Sequence, residues 1–327
     1  MKAWTMDHWG EPEEMVWNDV PMPHPGPGQL RIKVAAAALN FFDVLQVQGK
    51  YQVKPPFPFT PGAEVSGIVD AVGEGVPNWA VGTRVIAIPQ GGAFAEYCIA
   101  PSAKVFTMPL SLDFPEAAAL PIVYQTSLFG LETRGKLQPN EWLLVHAGAS
   151  GVGMAAIQIG KAMGARVIAT ASTEAKRKFA SQQGAEFTLD YTKPEWVDEV
   201  KQLTSGRGAD VIYDPVGGDI FDLSNKCIAP FGRHLVIGFA SGRIPTLAAN
   251  RALLKNMSLT GVFWGGHVAN NPDYPSEAHA ALMRMYEKGQ IKPVVGLRGI
   301  LSDAPAMLRQ LANRSVLGKA VALVGGT

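Results

Sequence analysis

Leu143-Leu-Val-His-Ala-Gly-Ala-Ser-Gly-Val-Gly-Met-Ala-Ala-Ile-Gln-Ile-Gly-Lys161 is the stretch whose reading decides the fold. Trp142 to Val145 is an apolar run of strand length. Ala147 to Gly153 is a turn of small residues. Met154, Ile157, Ile159 and Lys161 then begin a helical pattern. Strand, tight turn and helix open a dinucleotide-binding βαβ unit. Small residues let the backbone approach a pyrophosphate, and the unpaired N–H groups and dipole at the helix start bind its charge. The turn spells Ala147, Ser150 and Gly153 where the motif has three glycines, so the motif alone leaves open a turn that only packs helix onto strand. Trp142 to Gly160 carries no Asp, Glu, Lys or Arg and matches a membrane span in length. Its dense glycines and central turn favour a buried strand and helix instead.

From this stretch to residue 263 the pattern is βα. Strands are expected at Arg166 to Ala171, Phe187 to Tyr191, Ala209 to Asp214, His234 to Gly238 and Ser258 to Phe263. Helices are expected at Glu174 to Gln183, Pro194 to Thr204 and Ile220 to Ile228, and Gly184 is the stop of the first. Strands alternating with short helices make a parallel sheet covered on both faces. With the first strand there are six, a doubly wound α/β domain.

Upstream, short β-rich runs alternate with Pro and Gly: Gln29 to Val34, Glu64 to Val72, Thr83 to Ile88 and Ala93 to Ile99. They predict a mostly antiparallel, barrel-like domain. An Ala-rich helical segment follows Phe114 and ends at Gly135. From Trp264 the pattern changes again. A helix at Pro275 to Lys288, the segment Gly296 to Leu301, a further helix at Ala304 to Asn313 and a final strand at Lys319 to Val324 return the chain to the first domain.

The chain's 327 residues suffice for two domains, and its 47% hydrophobic and 17% charged residues are ordinary for a globular enzyme. A net charge of +1 gives no support for nucleic acid or membrane surfaces as partners. Two cysteines make no disulfide framework, and the N-terminal run has no apolar signal core; a reduced, cytoplasmic chain is expected.

Asn40-Phe-Phe-Asp43, Gly49-Lys-Tyr51, Pro61-Gly-Ala-Glu64, Gly82-Thr-Arg-Val85, Ala117-Ala-Ala-Leu-Pro121 and Val145 to Gly153 together resemble the medium-chain dehydrogenase/reductases. Asp190-Tyr191, Asp214-Pro-Val-Gly-Gly218, Gly238 to Arg243 and Gly318-Lys319 extend the likeness over nearly the whole chain. The branch it resembles is the zinc-free quinone oxidoreductase group, including its quinone-oxidoreductase-like members. The resemblance implies a GroES-like, β-rich catalytic domain at 1–121 and 264–327 around a Rossmann NADP-binding domain at 122–263.

Zinc members of that superfamily carry a four-cysteine lobe and a catalytic Cys/His set. Two cysteines cannot supply the lobe, and where zinc alcohol dehydrogenases read Gly-His-Glu this chain reads Gly62-Ala63-Glu64. No metal ligands are expected. His146, at a strand end, is expected to be a hydrogen-bonded core residue.

The expected cofactor is NADP(H). An NAD site wants an acid at the end of the second strand for the ribose 2′-hydroxyl. Here Ala169-Thr-Ala171 runs into Ser172-Thr-Glu-Ala-Lys176, and Glu174 reads as a first-turn residue after a Ser/Thr cap. Ser172, Lys176 and Tyr191 suit a 2′-phosphate, although Lys176 also reads as a solvated helix lysine. The resemblance places Lys176, Tyr191 and Arg314 at 2′-phosphate positions. Gly151 and Val152 are expected to present N–H groups to the pyrophosphate, and Ser150 either adds a hydroxyl or only widens the turn. The resemblance puts Gly238, Phe239, Ala240, Val262, Phe263 and Trp264 beside the nicotinamide, with core packing as the alternative for the aromatics, and Thr126 on the nicotinamide side. It puts Asn40 and Tyr51 at the substrate cleft. There Asn40 either donates to a carbonyl oxygen or caps a helix, and Tyr51 either relays a proton or lines the wall. Asp43 is expected to be structural.

The function these readings imply is NADPH-dependent, zinc-independent reduction of a quinone. Reduction of an alkenal, enone or enoyl thioester, or a non-catalytic, crystallin-like NADPH-binding role, are the alternatives. The expected partners are a small molecule and a second copy, paired through the apolar sheet edge at Ser258 to Phe263 as relatives pair.

Overall fold

A computed structural model describes residues 1–325; Gly326 and Thr327, the end of the expected second catalytic segment, lie outside the described residues. The chain divides into two compact units, 1–122 with 272–279 and 293–327, and 123–271 with 280–292. Trp264 to Asn271 and the later part of the helix that follows therefore group with the second unit.

The first unit opens with β1 (Lys2–Thr5) and β2 (Val16–Asp19), an antiparallel pair. Neither is evident in the sequence, where each is a four-residue run. Then come β3 (Gln29–Leu39), α1 (Phe41–Val47), β4 (Val65–Val72), β5 (Arg84–Ala87), β6 (Tyr97–Pro101), β7 (Val105–Thr107) and α2 (Phe114–Ala118). β3 runs five residues beyond the expected strand. Its end, Ala35 to Ala38, is helix-favouring by propensity. It is extended because β4 pairs with it on one side and a C-terminal strand on the other. Leu30, Ile32 and Val34 point into a core with Val69, Val85 and Phe94.

The second unit begins within α3 (Pro121–Leu128), which continues as a π-helical segment to Arg134. β8 (Trp142–Val145) and α4 (Gly151–Ala162) follow, then β9 (Arg166–Thr170), α5 (Glu174–Gln182), β10 (Phe187–Leu189) and α6 (Trp196–Leu203). β11 (Ala209–Asp214), α7 (Gly218–Ser224), β12 (Ile228–Val236), α8 (Ala249–Lys255), β13 (Ser258–Gly261) and α9 (Trp264–Asn270) complete the βα run. The sheet order is β10-β9-β8-β11-β12-β13, and every pairing is parallel. This is the doubly wound order, with its reversal between β8 and β11. α6 is amphipathic: Asp198 and Glu199 suit its positive start, while Trp196, Val197 and Val200 enter a core with Leu144, Ile168 and Ile212.

β12 starts six residues before the expected strand, and the preceding helix stops earlier than expected. Pro230 and Gly232 read as breakers. The ladder shows why both signals are true: Ile228 pairs with Ala209 and Arg233 with Val211, so residues 229–232 bulge out. α8 was not evident either. None of its residues is buried, so no core-facing periodicity marks it.

α10 (Tyr274–Glu287) leads to β14 (Val295–Ile300), α11 (Ala304–Ala312) and β15 (Lys319–Leu323). β15 pairs antiparallel with β3 and parallel with β14, giving the first unit a sheet ordered β14-β15-β3-β4-β5-β7, with β6 also on β3. Among the described residues no helix is long and apolar enough to cross a membrane. Cys98 and Cys227 are free and buried, and burial pushes both thiols up to about 12.

Candidate functional site

In the second unit the turn after β8 is built for close approach. Ala147 adopts φ 50°, the left-handed conformation a glycine would take at lower cost. Ser150 is the N-cap of α4: its Oγ accepts from Gly153 N at 3.1 Å and donates to Ala147 O at 2.8 Å. The hydroxyl is thus committed to the turn itself. Gly151 and Val152 form the first turn of the helix, where N–H groups have no intrahelical acceptor. A Cβ on Gly153 would lie 2.2 Å from Ala147 O, so only glycine allows helix and turn to meet this closely. The cradle therefore fits a dinucleotide pyrophosphate, with the strand-order reversal beside it.

At the end of β9, Thr173 caps α5, accepting from Lys176 N at 3.3 Å. Glu174 is exposed in the first turn. Ser172 and Lys176 are half-buried, and Tyr191 packs against the unit's core. The acid after β10, Asp190, pairs with Arg177 at 2.8 Å and accepts from Thr192. No acid occurs from Arg166 to Thr173, the segment where an NAD site places one. Arg314 belongs to the first unit.

The loops after β11 and β12 are tied together. Asp214 Oδ1 accepts from Val216 N and Gly217 N, and its Oδ2 from His234 Nε2 at 3.2 Å. Burial alone would raise this carboxyl; the bond from His234, the charge of the nearby histidines and Gly217 N–H hold it below the usual range. Ala240 N donates to Pro215 O, Ser241 N to Val216 O and Gly218 N to Arg243 O. Gly238 and Ala240 are half-buried within this pair of loops. Phe239 and Phe263 are 38% and 51% exposed, which sets them apart from core packing, whereas Val262 is buried. Trp264 is half-buried, with its indole Nε1 buried and unbonded. Thr126 is half-buried on α3. His146 is a satisfied core residue, with Nδ1 against Thr170 Oγ1 and Nε2 against Ser224 Oγ; burial lowers its pKa to about 4.

In the first unit, Asn40 heads α1 and is buried. Its carboxamide does not cap the helix. Nδ2 donates to Glu64 Oε1 at 2.7 Å, and Oδ1 accepts from Lys319 Nζ at 2.6 Å. Lys319 also donates to Glu64 Oε1 at 2.6 Å and to Leu39 O. Glu64 Oε2 accepts from Ile122 N. The Lys319–Glu64 pair is absent from the sequence reading, although a lysine inside the apolar strand Lys-Ala-Val-Ala-Leu was a signal for it. Tyr51 is half-buried and stacks on Phe42 at 5.4 Å. Burial, then the charge of Asp43, raises its phenol, so it carries its proton at neutral pH.

Asp43 is fully buried. Oδ2 accepts from Asn40 N, Oδ1 has no partner, and burial pushes the carboxyl up to about 8 against the opposing pull of Asn40 N–H and Lys319. The folded chain therefore holds this proton from about pH 4 to 8 while the unfolded chain has lost it. More protons bound in the native state means stability falls as pH rises through that window, by up to ~1.4 kcal/mol per pH unit. Asp43→Asn, which imitates the protonated acid, is expected to flatten that part of a denaturation-midpoint profile. An unchanged slope would show that Asp43 is already ionised.

Residues 26–110 match the alcohol dehydrogenase GroES-like domain, and residues 151–283 match the zinc-binding dehydrogenase domain. Among the described residues no group of three or more His, Cys, Asp or Glu is placed to hold a metal ion. The chain is 39% identical to a quinone oxidoreductase-like protein 2 homolog of Nematostella vectensis, over 90% of this chain and 82% of that one. It superposes on a mycobacterial protein solved in complex with NADPH with a TM-score of 0.93, at 33% identity, covering 99% of this chain and 100% of the other. It superposes equally well, TM-score 0.93 at 27% identity and the same coverage, on the Escherichia coli quinone oxidoreductase complexed with NADPH.

Proposed function

Because the chain belongs to the medium-chain dehydrogenase/reductase family, in its quinone-oxidoreductase-like branch, we propose that this oxidoreductase uses NADPH, without zinc, to reduce a quinone. The observation that carries the cofactor is the second unit: a 3-2-1-4-5-6 parallel sheet, the Gly153 cradle at its reversal, and a second strand, β9, followed by Ser172 and the Thr173 cap instead of an acid. The balanced reaction is quinone, NADPH and a proton giving hydroquinone and NADP⁺. Bound NADPH supplies the hydride.

The residues of the chain do the rest. Gly151 and Val152 N–H groups hold the pyrophosphate. Ser172, Lys176, Tyr191 and Arg314 are assigned to the 2′-phosphate. Thr126, Gly238, Phe239, Ala240, Val262, Phe263 and Trp264 are assigned to the nicotinamide. Asn40 donates to the acceptor's carbonyl oxygen, and Tyr51, a protonated phenol, delivers the completing proton. Orientation and water exclusion matter more here than a titrating base.

The test compares NADPH and NADH oxidation with one quinone and one enone, for the wild-type chain and Lys176→Ala. We expect NADPH and the quinone to be preferred, and the variant to lose cofactor preference about tenfold or more through KM, since a charge-assisted phosphate contact contributes about 1.5–3 kcal/mol. Faster enone turnover would move the chain to the double-bond reductases. Binding without turnover of any acceptor would leave a nucleotide-binding protein and end the reductase reading.

We also propose a cytoplasmic homodimer. β13 is an edge strand, and Leu253, Leu254, Leu259 and Phe263 are exposed apolar residues on or near it. Light scattering should give a dimer mass at micromolar concentration, and a monomer mass sinks the pairing. Free, buried thiols agree with a reducing compartment; recovery of a tagged chain outside the cytoplasmic fraction would contradict it.

A further inference from the structure

The buried cluster around Asn40 is larger than a helix start needs. Asn40 N already has its acceptor in Asp43. Yet an ammonium from β15 and a carboxylate from the residue before β4 both converge on the Asn40 side chain, at 2% and 0% side-chain exposure. Taking both charges out of water is costly, and a hydrophobic pair would be no less stable there.

What the pair does is fix the amide. Lys319 Nζ can only donate, so it must face Oδ1. Glu64 Oε1 bears two donors, Lys319 and Nδ2, and as a carboxylate oxygen it can only accept. The inverted amide would set donor against donor and acceptor against acceptor. Nδ2 carries two hydrogens, and Glu64 takes one. The second N–H is left to point in a single direction.

We propose that Lys319 and Glu64 are positioning residues, which act through Asn40 to hold its second N–H toward the carbonyl oxygen of the acceptor. This rests on the reductase reading above. When hydride reaches a quinone or the β-carbon of an enone, the displaced electron pair collects on that oxygen, giving a hydroquinone monoanion or an enolate. One further proton completes the product. A preoriented donor at the oxygen stabilises that charge without reorganising. The two charges of the pair cancel, so the donor is directional and the pocket gains no net charge.

The test is a cycle of Asn40→Ala, the paired exchange Glu64→Gln/Lys319→Met, and the triple variant. The paired exchange leaves no single charge buried. Asn40→Ala should lower kcat about 100-fold, as removal of one oxyanion donor does, with KM for NADPH within about twofold. The paired exchange should lower kcat roughly tenfold or more by the same route, and the triple variant should be no slower than Asn40→Ala. A paired exchange with wild-type kcat, or a triple variant slowed by the product of the two effects, overturns the proposal. Should the paired chain not fold, the ¹⁵N spectrum of the wild-type chain decides. The Asn40 side-chain amide, assigned by its loss in Asn40→Ala, should show one solvent-protected proton and one that shifts when NADP⁺ and hydroquinone are added. Two equivalent, freely exchanging protons overturn the proposal. If neither the quinone nor the enone supports NADPH oxidation by the wild-type chain, the reductase reading fails, and protection of the amide proton still reports whether the clamp exists.

Discussion

Gly153→Val is expected to weaken NADPH binding by about 100-fold or more, which is ~2.8 kcal/mol. A Cβ at this position meets Ala147 O at 2.2 Å, Ala147 C at 2.8 Å and Gly148 Cα at 3.0 Å. All three are backbone atoms, so no rotamer relieves the clash. The helix start must retreat from the strand end, and it carries the N–H groups of Gly151 and Val152 with it. Ser150 Oγ loses Gly153 N in the same movement, so a cap worth about 1 kcal/mol goes too. Two further methyls on the Cβ add overpacking of about 1–3 kcal/mol. Gly261→Ala is the control: a Cβ there meets nothing within 4 Å. Tryptophan quenching by NADPH measures both, and unchanged affinity in Gly153→Val would remove the turn from the cofactor site.

The second unit was legible because its signals agree at every level. β8 occupies the residues read from the apolar run, α5 begins after a Thr173 cap, and Gly184 adopts φ 114° beyond its end. The substituted fingerprint did not mislead, because Ala147 takes the left-handed conformation of the glycine it replaces. Reading failed where tertiary pairing overrides local preference. Ala35 to Ala38 is strand because two neighbours pair with it, and the bulge at 229–232 puts turn residues inside β12. β1, β2 and α8 were missed because they are too short, or too exposed, to carry a period.

For the site, local sequence explains caps and turns but not long-range charge pairing. Ser150 stood out as a fingerprint substitution, and its cap role follows from its place before α4. Lys319 and Glu64 are 255 residues apart. Glu64 drew notice as the end of a family motif and the neighbour of a missing zinc ligand, and Lys319 as part of another family motif. Nothing local says that one neutralises the other. The burial of Asp43 is equally silent in sequence, because an acid three residues after Asn40 reads as an ordinary first-turn residue.

That pairing sets the largest stability effect expected in the first unit. Lys319→Met removes the ammonium and leaves Glu64, at 0% exposure, with only Asn40 Nδ2 and Ile122 N as donors. Breaking a buried pair from one side typically costs about 3–5 kcal/mol, because the remaining charge stays uncompensated. Leu39 O loses its ammonium partner in the same step. The cost should appear as an earlier denaturation midpoint reported by Trp4 and Trp17, whose ring centroids lie 5.1 Å apart in this unit. Adding Glu64→Gln should recover much of it, since no buried charge then stands alone. The second unit, followed by NADPH protection of its own unfolding, should not change. Equal stability of Lys319→Met and wild type would mean that Glu64 does not depend on Lys319 as its counter-ion, and the clamp on Asn40 would fall with it.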